Sequence, residues 1–136
     1  MTEFISETKI IPFDDDRVFK VLSDFSNFER VKDAIPEDKI KGFSFDNDSC
    51  NFFVDPVGKI CLRITEREPN STIKIVGVET LVPIILFVQL KQATKNKTTV
   101  QLILQAKMNP FIELMASKPL KEALAKVLTL LVYFPY

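Results

Sequence analysis

From Asp38 to Lys107 apolar residues recur at every second position in short runs. Each run stops at a turn signal: Asn47-Asp48, Asp55-Pro56-Val57-Gly58, Pro69-Asn70, Val82-Pro83 or Lys95-Asn96. A period of two is the spacing of a strand with one buried face, and Asn, Asp, Pro and Gly supply the backbone angles that turns require. The pattern predicts six strands. Parallel neighbours would need crossover segments of about a dozen residues, so the short connections point to an antiparallel meander. Ile60, Leu62 and Ile64 share a face, as do Ile73 and Ile75; Ile84, Leu86, Val88 and Leu90; and Val100, Leu102, Leu104 and Ala106. That common oily face needs a cover.

The flanking segments supply one. Phe4 to Ile11 alternates with the same period, predicting a first strand that Pro12 ends. Asp14 to Asp16 place negative charge at a helix start, and Val18, Val21, Leu22 and Phe25 then recur at three- and four-residue steps. Ser26 and Glu29 match a capping box, predicting a second short helix closed by Pro36. Asn109-Pro110 is a strong helix start that opens a long last helix. Its stripe reads Phe111, Leu114 and Met115, then Leu120, Leu124, Val127, Leu128 and Leu131, with Pro119 expected to kink or restart it. There is no repeat or linker, and residues 1–136 read as a single domain with one core.

This order of elements resembles the helix-grip fold of the START-related (SRPBCC) superfamily, which includes birch-pollen allergens, lipid-transfer domains and polyketide cyclases. The resemblance is carried by Phe4 to Ile11, by Asp14-Asp15-Asp16-Arg17-Val18-Phe19 through Phe25-Ser26-Asn27-Phe28, and by the Asn109-Pro110-Phe111 helix start. It implies an α+β domain: a seven-stranded antiparallel curved sheet around a long C-terminal helix, with two short helices after strand 1. It also implies a cavity that takes a hydrophobic or amphipathic small molecule. A bent sheet and one helix cannot touch everywhere, which makes such a gap physically reasonable. The expected lining is Ile64, Ile75, Leu86, Val88, Leu102 and Leu104 from the sheet. Phe111, Leu114 and Met115 would come from the last helix, with Phe25 and Phe28 from the short pair.

Polar residues in phase with the oily faces are Ser6, Thr8, Glu66 and Glu79. A carboxylate inside the cavity would have its pKa raised by desolvation and could serve as a general acid or base; at a strand end it would be solvated. The chain has no His, which removes His-based triads and most zinc chemistry, and no cofactor or metal is expected. Eighteen basic residues balance eighteen acidic ones, leaving no field for nucleic acid. Residues 1–55 are net acidic and residues 56–136 net basic, an asymmetry that two halves of one sheet can neutralise. Cys50 and Cys61 lack metal or disulfide spacing and fit a reducing cytoplasm. The start lacks a signal-peptide pattern, and the longest apolar run, Leu81 to Val88, is far too short to span a bilayer.

Phe43 and Phe45, Val76 and Val78, and Ile85 and Phe87 occupy the phase opposite to the oily face. The expectation is a homodimer or partner surface through Val76, Val78, Ile85 and Phe87. The tail from Leu130 to Tyr136 is oily enough to cover a cavity mouth or a neighbour. Three functions are compatible with these features: a binder or carrier of an apolar small molecule, a cyclase- or dehydratase-like enzyme, and a protein-interaction module whose cavity has collapsed. The scarcity of catalytic residue types favours the first.

Overall fold

A computed structural model describes residues 2–34, 40–54, 58–78 and 82–136. Two strands, β1 (Thr2–Ile5) and β2 (Lys9–Ile11), precede helix α1 (Asp15–Leu22) and a 3-10 helix (Phe25–Ala34). The meander follows as β3 (Ile40–Phe45), β4 (Ser49–Val54), β5 (Gly58–Glu68), β6 (Thr72–Val78), β7 (Ile84–Thr94) and β8 (Lys97–Ala106), and α2 (Pro110–Tyr133) closes the chain. Among the described residues every pairing is antiparallel, in the order β1-β8-β7-β6-β5-β4-β3, with β2 also on β8. The six predicted strands are present, and α2 covers their inner face.

The expected first strand is broken in two, so the described sheet has eight strands rather than seven. Ile5 pairs with Ile103 and Lys9 with Val100, leaving one surplus residue on the N-terminal side. Ser6 absorbs it. Its backbone N–H donates to the Leu102 carbonyl (2.9 Å), while the Leu102 N–H donates to Ser6 Oγ (2.8 Å), so a hydroxyl takes the place of a ladder carbonyl. The alternation of faces changes phase there: Phe4 and Ile11 both turn inward, and Ile5 and Ile10 both turn out.

A second bulge lies in β3, where Lys41 pairs with Phe53 but Ser44 with Asn51. Gly42 supplies the left-handed φ of 72° that this insertion needs. Phe43 and Phe45, expected on the outer face, are therefore inside. A third bulge separates Ile64, opposite Ile75, from Glu66, opposite Lys74. It moves Glu66 to the outer face.

The helices follow their sequence signals with two differences. Asp14 caps α1 by accepting from the Arg17 N–H at 2.8 Å, and Val18 and Leu22 are buried. In place of the expected capping box, Asp24 Oδ1 accepts from both the backbone N–H (2.9 Å) and the hydroxyl (2.6 Å) of Ser26, because an ionised carboxylate is the stronger acceptor. Pro36, expected to end this helix, lies outside the described residues. Asn109 caps α2 through Ile112 N–H at 2.8 Å. α2 continues through Pro119 without a restart, and its buried stripe is Ala116, Leu120, Leu124, Leu128 and Leu131. Among the described residues no helix is long and apolar enough to cross a membrane.

Candidate ligand cavity

Between the inner face of the sheet and the C-terminal half of α2 lies a cavity of about 140 Å³. Its floor is Ile75, Leu86, Val88 and Leu104, and its roof is Leu120, Ala123, Leu124, Val127 and Leu131. One end is aromatic. Phe43 stacks on Phe45 (centroids 5.6 Å apart) and on Phe52 (5.1 Å), and Phe28 stands 5.9 Å from Phe45 and 6.2 Å from Phe25. On the turn side of the β3 bulge Phe45 pairs with Cys50 and Ser44 with Asn51, which puts Phe43 and Phe45 on the face of Cys50 and Phe52.

Among the described lining residues only Cys50 and Lys126 carry a side-chain heteroatom. Burial is the main force pushing the Cys50 thiol up to about 12, with lesser contributions from Cys61 and Asp46. The thiol therefore stays protonated and behaves as a small hydrophobe. Cys61 sits on the neighbouring strand opposite Asn51, on the other face of the sheet, so the two thiols point apart and both are free. Half-buried Lys126 brings a long aliphatic stem to the wall.

Of the residues singled out by sequence, Phe25, Phe28, Ile75, Leu86, Val88 and Leu104 come together around the cavity. Ile64 and Leu102 are buried in the core beside it without lining it. Phe111, Leu114 and Met115 do not reach it: they are 70%, 85% and 49% exposed. At about 100° of turn per residue, the stripe from Ala116 to Leu131 extends back to Ile112, and Leu114 lies on the far side. Glu66 is exposed on the outer face, and Glu79 falls outside the described residues. Ser6 is committed to the β1–β8 ladder, and Thr8 is exposed. Val76, Val78, Ile85 and Phe87 are half-buried on the outer face, where Val76 pairs with Ile85.

Sequence reasoning missed Phe43, Phe45, Cys50 and Phe52 as lining. Cys50 and Phe52 share a phase in β4, which the bare alternation contained, whereas Phe43 and Phe45 required knowledge of the bulge. It also missed Arg67, which the third bulge turns toward the helices. Its Nε donates to the Ser23 carbonyl at 3.0 Å and its guanidinium pairs with Asp48, tying the end of α1 to the β3–β4 turn.

No protein-family model and no curated protein matches this chain. Solved structures do. A START superfamily protein from Mycobacterium smegmatis has a TM-score of 0.57 at 13% identity, over 92% of this chain and 98% of that one. Norcoclaurine synthase from Thalictrum flavum, solved in complex with dopamine and hydroxybenzaldehyde, has a TM-score of 0.69 at 11% identity, over 96% and 85%. A protein from Mesorhizobium loti, MLL2253, gives 0.66 at 12%, over 96% and 93%. With its antiparallel sheet wrapped on a long C-terminal helix and two short helices near the start, the chain shares the helix-grip fold of these structures.

Proposed function

We propose that the protein binds an apolar small molecule between the sheet and α2, as a binder or carrier rather than a catalyst. The observation that carries this reading is the wall: a cavity in which the described side chains are carbon almost throughout, at the centre of a fold whose relatives include one solved with small organic ligands. Pockets for small molecules are mostly apolar, with few polar groups to fix orientation. Proton-transfer chemistry would need an acid, base or hydroxyl within reach of the guest. Of the candidates singled out by sequence, Glu66 and Ser6 are directed elsewhere and Thr8 is exposed, which leaves Lys126 as the one ionisable amine among the described lining residues and weighs against the cyclase- or dehydratase-like alternative. The interaction-module alternative requires a filled interior, and the 140 Å³ void weighs against it.

The test is a methyl-resolved NMR titration with a panel of apolar molecules. Saturable shifts at Leu86, Leu104 and Leu124 support the reading, and a folded protein whose methyls ignore the whole panel refutes it. Self-association across the outer face is a second element of the proposal, supported by the adjacency of Val76, Ile85 and half-buried Phe87. Light scattering that finds only monomer at micromolar concentration removes it. The two free thiols support a reducing compartment.

A further inference from the structure

The size and chemistry of the cavity narrow the class of guest. Apolar cavities of about 150 Å³ stay dry and accept a molecule the size of benzene, and this one measures about 140 Å³. Its aromatic end is set by mutually packed rings: Phe43 lies between Phe45 and Phe52, and Phe28 is braced by Phe25 and by Phe134 at 5.1 Å. Such an end does not move aside cheaply, because shifting one ring disturbs its neighbours.

Hydrogen bonding sets the second limit. The strands beneath the cavity are paired on both sides, β6 with β5 and β7, and β7 with β6 and β8, so their backbone groups are committed to the ladder. Among the described lining residues Cys50 offers a weak donor and the Lys126 ammonium ends a long stem. A hydroxyl carried into this space loses its water, and among the described lining side chains only the Lys126 ammonium is a strong partner for it.

Resting on the proposed function, we infer that the site selects a single-ring or comparably small hydrocarbon unit, free of hydrogen-bonding groups on its buried part. Fused-ring guests are disfavoured by volume, and guests whose hydroxyls cannot all meet Lys126 are disfavoured by desolvation.

The experiment titrates the full chain with benzene, toluene, naphthalene and hydroquinone, following the Leu86, Leu104 and Leu124 methyls. Benzene and toluene are expected to saturate these shifts. Hydroquinone should bind roughly tenfold more weakly or worse, because at most one of its two opposed hydroxyls can meet the Lys126 ammonium and the other goes unpartnered. Naphthalene, although more hydrophobic than toluene, should also bind more weakly. If hydroquinone or naphthalene moves the same methyls at equal or lower concentration than toluene, the size-and-polarity class is overturned while the binding site survives. If none of the four moves them, the site itself is overturned.

Discussion

The ring of Phe28 meets that of Phe134 edge-on at 65° with centroids 5.1 Å apart, joining the 3-10 helix to the residue that follows α2. Phe134 in turn packs on Tyr136, whose hydroxyl donates to the Leu131 carbonyl at 2.7 Å and whose backbone oxygen accepts from Arg17 Nε at 2.9 Å. The tail is thereby folded back against α1 and the 3-10 helix as part of the core, with Phe134 and Tyr136 buried. Phe134→Ala should cost about 3–5 kcal/mol of stability, as for other buried Phe truncations. A double-mutant cycle with Phe28→Leu, read by urea unfolding, should return about 0.5–1.5 kcal/mol of coupling. Zero coupling would show that the tail does not rest on Phe28.

Two leucines of α2 separate burial from composition. Leu124 is 6% exposed and in the cavity roof, whereas Leu114 is 85% exposed. Leu124→Ala should destabilise by about 2–5 kcal/mol. Leu114→Ala should stay within about 0.5 kcal/mol of the parent. Equal losses in a chemical-denaturation series would contradict the assigned face of the helix.

These leucines also show where the sequence was readable and where it was not. Asn109-Pro110, the turn signals and the alternation of β5 to β8 are local, and local chemistry fixed them. The expected stripe had two parts, Phe111, Leu114 and Met115 before a kink or restart at Pro119 and Leu120 to Leu131 after it, but the helix runs on through Pro119 in one phase and packing selects Ile112 and Ala116 instead. The sheet has the same lesson in another form. A bulge inserts one residue and reverses every face beyond it, so Phe43 and Phe45 were expected outside and Glu66 inside. Of the four register shifts in the described sheet, at Ser6, in β3, near Thr65 and between Gln92 and Thr94, only the one in β3 was marked in the sequence, by Gly42 with its positive φ. The bulges at Ser6 and near Thr65 have no comparable local signature.

The β3–β4 turn carries a pH dependence. Asp46 accepts from the Ser49 hydroxyl (2.8 Å), the Ser49 N–H (2.7 Å) and the Asp48 N–H (3.0 Å), and these bonds hold its carboxyl below the ordinary 3.8. A lowered folded-state value means that the stabilisation is present above the unfolded pKa and fades as pH falls through the folded one. Asp46→Asn should therefore lower the urea midpoint near neutral pH, and the gap from the parent should close as the pH falls below the ordinary carboxylate range. A gap that is independent of pH would assign the effect to shape rather than charge.

The two thiols should differ in reactivity. Cys50 is buried with its pKa pushed to about 12, against an ordinary 9.0, which reduces its thiolate population about a thousandfold. Cys61 is half-buried on the outer face. At about pH 8, iodoacetamide should label Cys61 first and reach Cys50 only on unfolding, a difference that intact-mass measurement resolves. Labelling of Cys50 in the native state that a bound apolar guest leaves unchanged would remove it from the cavity wall.

Filling the void is the most direct trial of the interior. Ala123 stands in the cavity roof with only a methyl to offer, and the ring of an Ala123→Phe variant is of the size that a space of this volume admits. If the void is real, the new ring replaces the guest. Toluene binding should vanish, and stability should rise by about 0.5–2 kcal/mol, as cavity-filling substitutions commonly give. If the interior is already packed, the same ring has nowhere to go and overpacking should cost about 1–3 kcal/mol. The sign of the change in urea midpoint thus separates an open interior from a closed one without any ligand being known. Loss of toluene binding together with a gain in stability is the outcome that only an accessible, empty, apolar chamber beneath α2 produces.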